Sequence, residues 1–218
     1  MRLRGYLALV ALIAAPALAR ADDIRIVGDS IGEGLHLASN YPSPANRFNV
    51  AIYTGKAIDQ IKTLPRGANV VLSLGTNDAV AGLTDQKPRI DAVVAAAAAQ
   101  GVKLTWVGPP CVLTKWEDHA KTLDANLAAA LKDTDVAYVS AQGPEFCSPA
   151  LHAGDGVHFT MAGYSRLWQK AATVAGIPVV VASAGAPKPA AVVGPKKTHR
   201  KRHRRSHDAT KSPQPAPT

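Results

Sequence analysis

Cysteine is nearly missing from this 218-residue chain, which holds two, beside three phenylalanines, three tryptophans and two methionines. Two cysteines allow a single bridge at most, so the fold must rest on a hydrophobic core rather than on disulfide staples. No internal repeat occurs, which excludes a solenoid or a propeller. The apolar run from Leu7 to Ala19 falls short of the roughly 20 residues that a membrane span needs. Basic charge is lacking where nucleic acid would require it. The formal net charge is +9, yet residues 188–218 carry +8 and residues 1–21 carry +3, which leaves residues 22–187 at −2. The body of the chain has no basic face to offer, and no specific nucleic-acid partner is expected.

What is present at the ends explains the charge. Residues 1–21 combine Arg2 and Arg4, the apolar run, and two A-x-A sites at Ala17/Ala19 and Ala19/Ala21, the three parts of a secretory signal peptide. Export to the periplasm or the exterior is the expectation, and with it an oxidising compartment. Residues 183–218 form a Pro/Ala-rich linker followed by "KKTHRKRHRRSHDATK", which is too poor in apolar side chains to offset its ordering entropy and is expected to be disordered. Such a tail suits an anionic envelope polymer or membrane surface, each basic residue near the surface adding about 1 kcal/mol. His199, His203 and His207 recur every four residues, but Lys and Arg crowd the positions between them, and the run reads as solvated charge rather than as a metal site.

Residues 22–182 are about 160 residues, enough for one core. They alternate short apolar runs with longer helical ones, the pattern of a parallel sheet wrapped by helices. Strands are expected at 24–28, 48–53, 69–75, 103–108 and 136–140, with helices over "PRIDAVVAAAAAQ" closed by Gly101, over "EDHAKTLDANLAAALKD", and over "MAGYSRLWQKAATVA" capped by Thr160. The fold class is therefore α/β: a flavodoxin-like three-layer α/β/α sandwich with a five-stranded parallel sheet, whose sites form at the carboxyl ends of the strands. "GDS" at 28–30, "TGK" at 54–56, "GTND" at 75–78 and "DGVHFT" at 155–160 all fall in the loops that would converge there.

A serine hydroxyl needs a base within hydrogen-bond reach, a group that orients the base, and donors for an oxyanion. Ser30 is the candidate nucleophile, His158 the base and Asp155 the orienter. Gly28, Ser30 and Gly32 also spell G-x-S-x-G, the nucleophile elbow of the α/β-hydrolases. That elbow draws part of its oxyanion hole from a loop preceding the nucleophile's strand, and few residues precede residue 24 once a leader is removed. Ser30 or Asp29 could instead cap a helix, Gly75 and Asn77 could be turn residues, and His36, His119 and His152 carry no catalytic expectation, His152 lying nearest the site.

Taken together, "GDS" with Ser30, "YTGKA" with Gly55, "GTND" with Asn77 and "DGVHF" with Asp155 and His158 resemble the blocks of the SGNH hydrolases, the GDSL esterase/lipase superfamily, over residues 24 to about 176. The resemblance implies a Ser30–His158–Asp155 triad and an oxyanion hole made by the Ser30 amide, the Gly55 amide and the Asn77 side chain. It implies an acyl-ester substrate, such as an O-acetyl or short-chain acyl group on an envelope glycan or lipid, and no metal or organic cofactor. "GDSI" replaces GDSL, and Lys56-Ala57 follows Gly55 where small polar residues are usual. Asp78 reads as a brace for the Asn77 loop. A bridge between Cys111 and Cys147 is expected in an exported protein, and a monomer is expected. With few aromatics, a large aromatic acyl groove is not. The competing reading is a non-catalytic envelope-binding protein on the same fold, acting through its basic tail.

Overall fold

Three runs of almost wholly buried residues and a fourth that is half-buried form the sheet of the computed structural model, which describes residues 24–43 and 49–179. Strands β1 (Ile24–Gly28), β2 (Asn69–Ser73), β3 (Lys103–Pro110) and β4 (Ala137–Ala141) lie in that order and are all parallel. Alternate residues feed two cores, as a period of two requires. Val27, Val70, Leu72, Leu104 and Trp106 face one side, with Ile61, Ile90, Val93, Leu123 and Leu127 from helices α2 (Lys56–Lys62), α4 (Lys87–Gln100) and α5 (Glu117–Leu131). Ile24, Ile26, Val71, Val107 and Val139 face the other, with Ile31, Leu35, Leu167, Trp168 and Ala171 from helices α1 (Ser30–Ser39) and α6 (Met161–Ala175). This is the expected three-layer α/β/α sandwich, and all described residues belong to one compact unit.

The helix boundaries follow local chemistry. Asp29 caps α1 by accepting from the Ile31 and Gly32 amides, and the Thr160 hydroxyl caps α6 by accepting from the Gly163 amide. Gly101 and Gly176 close α4 and α6 in the left-handed conformation. The register of β3 against β4 shifts between Val107 and Pro110, where consecutive prolines supply no amide to the ladder.

One expectation is corrected. Among the described residues the sheet has four strands, because residues 49–53 are not paired as a fifth. Their peptide groups are taken elsewhere: the Ile52 and Tyr53 amides donate to the Asp78 carboxylate, the Val50 carbonyl accepts from the Asn77 amide, and Thr54 closes a turn onto Ala51. The signal peptide at 1–21, the linker and basic tail at 183–218, and His199, His203 and His207 lie outside the described residues.

Candidate active site

Gly28 ends β1 with φ +119, and its peptide is held on both sides by one buried side chain: its amide donates to Gln60 Oε1 at 2.8 Å and its carbonyl accepts from Gln60 Nε2 at 3.4 Å. The chain then turns sharply into α1. Asp29 is fully buried, its Oδ1 accepting from the Ile31 amide and the Ser73 hydroxyl and its Oδ2 from the Thr76 amide at 3.3 Å. Burial pushes this carboxyl above its ordinary range, against the hydrogen bonds from Thr76, Gly32, Ser73 and Ile31 that pull it down. Asp29 thus ties the end of β1 to the end of β2 and to the short helix α3 (Thr76–Val80). Ser30 is left as the first residue of α1, half-buried, with its amide outside the Asp29 cap and at the positive end of a helix.

Asp155 and His158 sit on a short hairpin. His152 and Phe159 form an antiparallel bridge at its base, and the Ala153 amide donates to the His158 carbonyl at 2.7 Å. Asp155 Oδ1 accepts the Val157 and His158 amides, both at 2.9 Å, and Oδ2 meets His158 Nδ1 at 2.6 Å. Slight burial works to raise the Asp155 carboxyl, but the His158 ring and those two amides outweigh it and lower it to about 2. At neutral pH it is an acceptor only, so the hydrogen between them is carried by His158 Nδ1, and in the neutral form of the ring Nε2 is the acceptor. His158 Nε2 lies 2.9 Å from Ser30 Oγ. Three residues separated by up to 128 positions in the chain are joined in one hydrogen-bonded line.

Asn77 Nδ2 donates to the Val50 carbonyl at 2.8 Å, and the neighbouring Asp78 accepts the Ile52 and Tyr53 amides at 2.9 and 3.0 Å. Burial raises the Asp78 carboxyl, opposed by those amides and by the nearby Arg89 cation. Arg89 in turn donates to the Tyr53 carbonyl. The whole 50–53 segment is therefore fastened to α3 and α4, and it delivers Gly55, which starts α2 at φ +71. No hydrogen bond among the described residues joins Gly55 to Ser30, His158 or Asp155; its amide makes a long 3.4 Å bond to the Ile52 carbonyl.

Cys111 and Cys147 are bonded to each other, 5.3 Å apart at Cα, and join the end of β3 to the segment leading into the hairpin. His152 is buried against Phe159, with Nε2 2.7 Å from the Cys111 carbonyl and Nδ1 3.0 Å from the Ser148 carbonyl. His36 and His119 likewise face backbone carbonyls, of Tyr41 and Ala79. Gln60, Arg89 and the tie made by Asp29 have no sequence signal beyond Asp29 standing in "GDS", since each acts on groups more than 30 positions away or through tertiary contacts.

The GDSL-like lipase/acylhydrolase family model matches residues 26–166. The chain belongs to that family. This GDSL-type protein is thus an ester-hydrolysing serine hydrolase. Solved structures repeat the architecture. A GDSL-like lipase from Bacteroides thetaiotaomicron superposes with a TM-score of 0.54 at 17% identity, covering 70% of this chain and 87% of its own. A lipolytic G-D-S-L family protein from Desulfitobacterium hafniense gives 0.54 at 15%, with 69% and 98% covered, and an SGNH hydrolase from Slackia heliotrinireducens gives 0.52 at 18%, with 70% and 96%. At these identities the likeness is one of fold. No curated protein matches the chain.

Proposed function

We propose that this GDSL-family hydrolase cleaves a carboxylic ester in two steps through an acyl-enzyme on Ser30. The observation that carries the reading is the unbroken line from Ser30 Oγ to His158 Nε2 at 2.9 Å and from His158 Nδ1 to Asp155 at 2.6 Å. Ser30 Oγ attacks the acyl carbon while His158 takes its proton; Asp155 fixes the tautomer and stabilises the imidazolium. The tetrahedral oxyanion is met by the Ser30 amide at the α1 N-terminus, by the Asn77 side-chain amide, and by the Gly55 amide, whose long bond to Ile52 is readily given up for a charged acceptor. His158 then passes the proton to the departing alcohol, and water repeats the sequence to release the acid.

The setting we propose is outside the cytoplasm. A leader-like N-terminus, a cysteine pair within bonding distance and a cationic C-terminal segment support an envelope substrate carrying an O-acetyl or short-chain acyl group. The test is labelling with a fluorophosphonate probe followed by peptide mapping. A single adduct on Ser30, absent in Ser30→Ala and accompanied by hydrolysis of 4-nitrophenyl acetate, is the expected result; an unlabelled, folded, inactive protein would overturn the proposal.

Asn77→Ala removes one oxyanion donor and is expected to lower kcat by roughly 100- to 1,000-fold. It also frees the Val50 carbonyl, so the comparison with Asn77→Asp is informative. The aspartate would face that carbonyl and the developing oxyanion with a negative charge, and should be at least as damaging as alanine in steady-state kinetics.

A further inference from the structure

The groups assigned to the oxyanion stand on separate pieces of chain: Ser30 at the start of α1, Asn77 in α3, and Gly55 ahead of α2. Hydrogen bonds link those pieces in a circuit. Asp29 accepts from the Thr76 amide, which joins the Ser30 turn to α3. Asn77 donates to the Val50 carbonyl and Asp78 accepts from the Ile52 and Tyr53 amides, which joins α3 to the segment entering Gly55. The remaining side, from α2 back to the Ser30 turn, is spanned by the buried side chain of Gln60, little more than one helical turn along from Gly55.

We propose that Gln60 is a positioning residue for the reaction: by holding the Gly28 backbone from α2, it fixes the separation of the Ser30 and Gly55 amides. The inference rests on the acyl-enzyme reading above and adds to it the group that keeps the oxyanion hole in shape. The Gly28 carbonyl and the Asp29 amide belong to one peptide unit. Gln60 Nε2 donates to that carbonyl at 3.4 Å and the Asp29 amide donates to the Ser73 carbonyl at 3.0 Å, so the unit is held from α2 on one side and from β2 on the other. The next peptide unit carries the Ser30 amide, with its carbonyl accepting from the Glu33 amide at 3.2 Å. Rotation of the clamped unit would therefore swing the Ser30 N–H.

The inner face of α2 is held differently. Ala57 and Ile61 are buried in the same core as Val27 and Ile52. Apolar contact of this kind is non-directional and keeps a short helix on the sheet without setting its roll, whereas a hydrogen-bonded amide fixes distance and angle together. The residue type fits the task. Burying an amide is costly unless both its ends are matched, and Gly28 offers Gln60 an N–H, at 2.8 Å from Oε1, as well as a C=O.

The experiment compares three proteins on 4-nitrophenyl acetate. Gln60→Met keeps the length of the side chain and removes both hydrogen bonds to Gly28. Its kcat should fall by roughly 10- to 100-fold, the scale of a misplacement of about 1 Å, with KM within about twofold of wild type, because the donors meet charge only in the transition state. Affinity for a trifluoromethyl ketone, which binds serine as a tetrahedral oxyanion, should fall by the same factor. Gln60→Glu separates positioning from packing. As a carboxylic acid it offers one acceptor and one donor, as glutamine does, and when ionised it sets an acceptor against the Gly28 carbonyl. With each kcat divided by the wild-type value at the same pH, from about pH 5 to about pH 9, Gln60→Glu should exceed Gln60→Met by roughly tenfold at the acid end. A Gln60→Met protein with a lowered Tm but wild-type kcat would mark a merely structural residue and overturn the proposal, as would Glu and Met variants equally slow at the acid end. If Gln60→Met does not fold, Gln60→Asn, whose amide is one methylene too short to reach both groups, is judged by the same outcomes. A wild type that neither hydrolyses the ester nor takes a fluorophosphonate label would bring down the esterase reading and this role with it; an active wild type with indifferent variants brings down the role alone.

Discussion

Ser30→Ala and His158→Ala should each lower kcat for a simple acyl ester by about a million-fold, and the double variant should be no worse than either. The reason lies in the hydrogen-bonded line. A serine without a base has almost no alkoxide character at neutral pH, and a histidine without the serine has only water to activate. Since each residue acts through the other across 2.9 Å, removing one forfeits the contribution of both. The activity that remains should be that of the oxyanion donors and of substrate binding alone. Progress curves with a fluorogenic acetate, on protein purified apart from any wild-type enzyme, measure all three variants. Losses that multiply, or a Ser30→Ala variant retaining more than about a hundredth of the rate, would mean that the serine and histidine do not work as a unit.

Gly28→Ala should unfold the protein or lower its melting temperature by about 10 °C or more. Two penalties coincide at this position. The backbone is at φ +119, a conformation that an L-residue adopts only with strain of about 1 to 3 kcal/mol. A Cβ would also lie 1.8 Å from the Ser73 carbonyl oxygen, which is backbone and already accepts the Asp29 amide at 3.0 Å. Relief requires β1 to move away from β2, and Gln60 grips the same peptide from the other side. The combined cost is a large part of the ~5 to 15 kcal/mol by which a domain is stable. Any folded remnant would have Ser30 displaced, so thermal unfolding by circular dichroism should be read beside activity. A variant with wild-type melting temperature would show that the sheet edge yields where the packing says it cannot.

The four paired strands were legible because each is an apolar run, and the long helices because Gly101 closes α4, Thr160 and Gly176 bound α6, and α5 carries its apolar residues on one stripe. Residues 48–53 failed for an instructive reason. "NVAIY" has strand-forming composition, but two polar side chains from another part of the chain, Asn77 and Asp78, compete for its peptide groups. No local pattern reveals such a competitor. In the site, "DGVHF" was readable because its two functional groups are three residues apart and its own amides hold the carboxylate. The supports were not. Gln60 lies 32 positions from Gly28, and Arg89 lies 36 from Tyr53, and neither stands in a motif. His152, which carried no catalytic expectation, is a fastening: the two carbonyls against its ring hold the base of the Asp155–His158 hairpin.

The hairpin that carries Asp155 and His158 is self-bonded at its tip, where the Gly156 carbonyl also accepts from the Leu113 amide of the loop after β3, and is tied at its root by His152 to the Cys111 carbonyl. Its internal distances are therefore stiffer than its placement relative to α1. Breathing of this edge of the molecule would leave the imidazole and its carboxylate in register and stretch the gap to Ser30. Opening of the cleft for product exit and disarming of the nucleophile would then be the same movement.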